Sequence, residues 1–170
     1  METFTSPIIK LDSPVWTSIA PVPDAIAERL IEKTTDKRVV CTLNGKLKKH
    51  CALMPRGDGS YYILVNKQEL KQIGVSLNEE IHIALEPDRS DYGMPMDDEF
   101  RAVLDSDPEG EKHFEALTPG KKRTLLYMVH KIKNGQKKIQ RSIVIIEHLK
   151  MTGGKIDYKL LNRQFKERKF

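Results

Sequence analysis

The chain has 170 residues, 39% of them hydrophobic, 31% charged and 6% aromatic, enough to build one or two cores of roughly 100 residues each. Its 29 Lys and Arg against 24 Asp and Glu give a net charge of +5, which permits a polyanionic partner without requiring one. Met1 to Pro7 lack a basic flank leading into an apolar run, and no stretch approaches the ~18 apolar residues of a membrane span; the expectation is a soluble, cytoplasmic protein with no membrane partner.

Along the chain the first signal is a repeat. Phe4 to Lys10 reads as a strand, Trp16-Thr17-Ser18-Ile19 as a second, Pro23 to Leu30 as a short helix and Arg38 to Leu43 as a third strand. The same order returns with Leu47 to Met54, Tyr61-Tyr62-Ile63-Leu64, a helix entered at Asn66 and running to Ile73, and Glu80 to Glu86. Ile26 and Leu30 share one helix face, as do Leu70 and Ile73, and Gly74 offers the left-handed position that ends the second helix. Helices this short need a sheet to cover. Ile81, Ile83 and Leu85 alternate with His82, Ala84 and Glu86 as in a half-buried strand. Two strand-strand-helix-strand units in tandem can close on each other and remove their exposed edges. The expected fold class is therefore α+β: a single-chain pseudo-twofold small β-barrel over residues 1–90, monomeric because one chain supplies both halves.

Asn44-Gly45 suits a two-residue hairpin. That register sets Cys41 opposite Lys48 and Cys51 opposite Arg38, on opposite faces, so no disulfide is expected between the two cysteines of the chain.

Charge then divides the chain. Residues 1–118 carry 14 basic and 21 acidic side chains, whereas 119–170 carry 15 basic and 3 acidic. Acidity peaks between Glu86 and Glu115, and Pro87, Gly93, Pro95 and Pro108 punctuate this stretch. Residues 91–117 read as an acidic linker with short helices near Asp97 to Leu104 and from Pro108, the latter capped by Asp107. Beyond it, over 118–170, Thr118-Pro119 starts a helix carrying Leu125, Met128, Val129 and Ile132 until Asn134-Gly135 stops it. A second helix repeats Ile139, Ile143, Ile146 and Leu149 up to Gly153-Gly154, and Lys155 to Phe170 reads as a short amphipathic helix or tail packing its apolar side on this hairpin.

Val39 to Gly45, the run Leu53-Met54-Pro55-Arg56-Gly57-Asp58-Gly59-Ser60-Tyr61-Tyr62, Gly74-Val75 and Leu85-Glu86-Pro87-Asp88 resemble an uncharacterised bacterial family of single-chain double-split β-barrels. That resemblance implies a fold similar to the AbrB-like, swapped-hairpin barrel of transition-state regulators and antitoxins, with both halves fused. The C-terminal part resembles a YdeI- or OmpD-associated, bacteriocin-protection family. Its Ala-Lys, Thr-Arg and Arg positions fall on Ile132-Lys133, Lys137-Lys138 and Arg141, with Tyr127 where a tryptophan is common. Neither resemblance carries an activity over to this chain.

The residues themselves offer binding chemistry more readily than catalysis. Five scattered histidines and no cysteine pair at ligand spacing point away from a metal site, and no phosphate-cradling or nucleophile-elbow motif is present; no cofactor is expected. The candidate anion- or nucleic-acid-binding residues are Arg56 at a glycine-rich tip and Lys121, Lys122, Arg123, Lys133, Lys137, Lys138 and Arg141 on the basic helices. The expected function is a non-catalytic binding protein for nucleic acid or an acidic protein. The alternative is a small-molecule or anion binder, or an enzyme, with a pocket between barrel and hairpin around Arg56 and Lys133.

Overall fold

A computed structural model describes residues 1–11 and 18–168, so the expected strand residues Trp16 and Thr17 and the tail residues Lys169 and Phe170 lie outside the described residues. The chain divides into two compact units, Met1–Arg89 and Ser90–Phe170. The architecture is α+β, with antiparallel sheets in the first unit and most of the helices in the second.

In the first unit both copies of the repeat form the same elements. The first has β1 (Glu2–Pro7), β2 (Ile9–Lys10), β3 (Ser18–Val22), α1 (Asp24–Ile31) and β4 (Arg38–Leu43). The second has β5 (Leu47–Ala52), β6 (Met54–Pro55), β7 (Tyr61–Val65), α2 (Lys67–Ile73) and β8 (Glu80–Pro87). The strand expected over residues 4–10 is thus two strands either side of Ile8, and its counterpart breaks likewise at Leu53; these two side chains are 0% and 1% exposed, turning inward where the chain passes from one sheet to the other.

The sheets run β1-β8-β4-β5 and β2-β3-β7-β6. Each order reads the same, reversed, when the two copies are exchanged. The central pairs join equivalent strands antiparallel, with Ala20 opposite Ile63 in one sheet and Thr42 opposite Ala84 in the other. Strand β1 of the first copy pairs with β8 of the second, Phe4 facing Ile83, so neither copy completes a sheet alone. The expected closed barrel is not found: among the described residues the strands form two four-stranded sheets, because β2 and β6 are two residues long and pair on one side only. Alternation drives Ile81, Ile83 and Leu85 into a core shared with Val39, Cys41, Leu43, Ile63 and Val65, closed by Ala27 and Leu30 of α1 and Leu70 and Ile73 of α2. A capping box between Asn66 and Glu69 opens α2, and Gly74 at φ 74° ends it.

The hairpin register differs by one residue from the two-residue turn. Leu43 pairs with Leu47, leaving Asn44, Gly45 and Lys46 in the loop. Asn44 is recruited by the neighbouring strand: its amide donates to the His82 carbonyl and its side chain accepts from the His82 amide, both at 2.8 Å. With that shift Cys41 faces Lys49 and Cys51 faces Val39, so the two free thiols share a face on diagonal positions, correcting the expectation of opposite faces. Contact with Cys51, together with burial, pushes the Cys41 thiol up.

The second unit is built around one helix. Its elements are α3 (Asp98–Asp105), α4 (Pro108–Glu115), α5 (Pro119–His130), α6 (Gly135–Met151) and α7 (Tyr158–Glu167), and α3, α4, α5 and α7 all pack on α6. The stretch expected as an acidic linker supplies Phe100, Leu104, Phe114 and Leu117 to the same core as Leu125, Val129, Ile145, Ile146 and Leu149. Being enclosed by four helices, α6 buries Ser142, Val144, Ile145 and His148 as well as the expected Ile146 and Leu149, while Ile139 and Ile143 are only half-buried. Asn134 and Gly135 do not stop α5, which ends at His130; Asn134 instead caps α6, its side chain accepting from the Lys137 amide at 3.0 Å.

Candidate anion-binding site

Lys137, Gln140, Arg141 and Val144 stand three and four apart along α6 and therefore line one side of it. Opposite them α7 contributes Phe165, and Arg168 follows at its C-terminal cap; Ile132, from the segment joining α5 and α6, completes the wall. Together these seven residues line an open-sided cavity of about 220 Å³. Its position depends on α7 being held against α6. His148, 1% exposed, does this from inside: Nδ1 meets Gln164 Oε1 at 2.7 Å and Nε2 accepts from the Asp157 amide at 3.1 Å. Since Nε2 accepts, Nδ1 carries the proton.

The guanidinium of Arg141 lies over the Phe165 ring, 3.9 Å from its centroid, a stacking cation–π contact. Burial holds Arg141 below its ordinary value. No carboxylate or carbonyl partner is assigned to it among the described residues. Lys137 is exposed, also without a carboxylate partner among them, whereas Arg168 pairs with Glu147. The cavity thus offers a guanidinium fixed by an aromatic ring, an ammonium at the rim and the side-chain amide of Gln140, against the apolar surfaces of Ile132 and Val144. This arrangement suits an oxyanion: the stacked face leaves the in-plane N–H fork free for two parallel hydrogen bonds.

The other candidate residues are dispersed. Lys122 pairs with Glu115 and lies 5.4 Å from the Tyr92 ring centroid; although partial burial opposes it, hydrogen bonds from Lys122 and Tyr92 hold Glu115 below the usual carboxylate value. Arg123 donates to the Tyr92 carbonyl at 3.4 Å. Lys138 bonds Asp97 at 2.9 Å, which raises its own pKa, and Lys150 bonds Asp107 at 2.6 Å. Much of the basic cluster is therefore spent within the unit on the acidic helices. Lys121 and Lys133 are exposed. Of the eight candidates Lys137 and Arg141 meet in this cavity; sequence reasoning passes over Gln140 and places Phe165 and Arg168 only on the amphipathic tail, although the row 137, 140, 141, 144 and the Phe165/Arg168 pair three apart are visible signals.

Arg56 lies on the first unit, at a turn closed by its own hydrogen bonds. The Arg56 amide donates to the Ser60 carbonyl at 3.0 Å, and Asp58 accepts from the Ser60 amide and hydroxyl, hydrogen bonds that hold the Asp58 carboxyl low. The adjoining cavity, about 440 Å³, is lined by Asp24, Glu28 and Asp58, the wrong sign for an anion. Among the described residues no group of three or more His, Cys, Asp or Glu is placed to hold a metal ion, and no helix is long and apolar enough to cross a membrane.

Fold and site together define an α+β protein with a duplicated β-unit followed by a helical unit that carries a small cationic cavity. Comparison with known families agrees with that division: residues 4–85 match the family model described as Domain of unknown function (DUF1905), and residues 94–151 match Bacteriocin-protection, YdeI or OmpD-Associated. The chain is similar to both, in the order its motifs suggest. No curated protein and no solved structure gives a significant match.

Proposed function

We propose that this protein is a binding protein for small organic anions, held in the cavity between α6 and α7. The observation that carries the proposal is Arg141, half-buried, stacked on Phe165 and without an acidic partner among the described residues. A charge removed from water in this way is stabilised when a partner of opposite sign arrives. The walls of this cavity all come from the second unit, and neither Arg56 nor Lys133 belongs to them. Thermal shift with a panel of small carboxylates and phosphates tests the proposal: a ligand at 100 times its Kd adds about 2.7 kcal/mol of stability, and R141Q should abolish the gain. Silence across the panel would refute it.

A second reading is association with nucleic acid or an acidic protein through Lys121, Lys133 and Lys137, supported by their exposure. It predicts affinity falling with salt at a log–log slope of about 0.9 per phosphate contacted; no association at low salt would end it. For the first unit, the exchange symmetry of both sheets supports an AbrB-like double-split arrangement, open between its two sheets, with both halves in one chain, and a monomeric protein. Sedimentation as an obligate dimer would count against that assignment.

A further inference from the structure

The walls of the cavity restrict which anion fits. We infer that its ligand is an amphiphilic anion, a carboxylate or phosphate oxyanion joined to one compact apolar group such as a single ring or short branched chain; this rests on the anion-binding reading above and specifies it. The cations cluster on one side: Arg141 is pinned by Phe165 at 3.9 Å and Lys137 stands one helical turn before it. Ile132, half-buried, and Val144, 4% exposed, are apolar lining with no polar group to satisfy. Val144 is already covered and forms the floor; an inorganic ion on the fork would leave the exposed part of Ile132 against water, whereas a hydrocarbon body would bury it. At about 220 Å³ the space lies below the roughly 300 Å³ of ordinary small-molecule sites, so the part of the ligand it covers is a single small group. Arg168, engaged by Glu147, lines the side next to α7, so Arg141 and Lys137 are the lining cations without a carboxylate partner among the described residues.

The experiment is calorimetric titration of the full chain, in a buffer free of phosphate and carboxylate, with acetate, inorganic phosphate, benzoate, phenyl phosphate and neutral benzyl alcohol. The expected result is that benzoate or phenyl phosphate binds at least about tenfold more tightly than acetate or inorganic phosphate and that benzyl alcohol does not bind. R141K, which keeps the charge but loses the fork, should weaken the aryl anion roughly ten- to hundredfold. K137Q, at an exposed position that leaves the fold intact, should weaken it by a smaller factor. I132S should erase the preference for aryl over simple anions without changing acetate binding. Aryl and simple anions binding equally would overturn this inference and leave anion binding standing; no binding by any probe, or benzyl alcohol matching benzoate, would overturn both.

Discussion

The two units solve the problem of completing a core in opposite ways. In the first, stability is shared between sequence-distant copies: β1 meets β8 and β4 meets β5, so a side chain and its repeat counterpart do the same work. In the second, one helix does most of it, with α6 touching all four neighbours and acid–base pairs such as Lys138–Asp97 and Lys150–Asp107 stitching the outside. Duplication spreads the load over equivalent positions, whereas a central helix concentrates it. Partly exposed pairs at the surface of a unit are worth about 1 kcal/mol each, so the difference must appear mainly in the cores.

The sharpest way to break the comparison is at the corners of the first unit. Ile8→Ala and Leu53→Ala each remove a buried side chain, and each should cost about 2–5 kcal/mol in denaturant unfolding; a large disparity between the two would mean that the copies are equivalent in topology but not in energy. Gly110→Ala addresses the second unit. A Cβ at Gly110 would overlap Ile146 Cγ2 on α6, so overpacking of about 1–3 kcal/mol should outweigh the ~1 kcal/mol gained in helix propensity, and the loss should register in the helical signal. A neutral or stabilising result would show that α4 can shift along α6.

The smallest effect concerns the stitching. Lys150, with the Gly110 amide, holds Asp107 below its usual 3.8, so its contribution is present above that value and fades as pH falls through the lower folded one. Asp107→Asn keeps an N-cap acceptor and loses the Lys150 pair and the helix-dipole interaction, so it should cost at most about 1 kcal/mol at neutral pH and nothing in strong acid, where the two unfolding curves converge.

Local chemistry was legible where one residue decides the outcome. Asp107 caps its helix next to proline, Thr118 takes the N-cap position before Pro119 although its side chain makes no capping hydrogen bond, Gly74 takes the left-handed position, and the tandem unit emerges from matching strand and helix patterns. What was not legible depended on partners distant in the chain. The hairpin register moved because Asn44 bonds His82, 38 residues away, and the buried side of α6 widened because α3 and α4 pack on it. Within the candidate site, Lys137 and Arg141 were visible as charges, yet nothing local says that Arg141 stacks on Phe165 while Lys138, the next residue along from Lys137, is consumed by Asp97.

Strand β8 is central in its sheet, flanked by β1 and β4, yet it is the last strand of its unit along the chain. During synthesis the ribosome must deliver more than 80 residues before that gap can be filled, so β1 waits without its partner for nearly the whole length of the unit. Growing chains of this design expose unpaired strand edges for longer than a simple meander of hairpins would, which makes translation speed, and any chaperone shielding those edges, a determinant of yield.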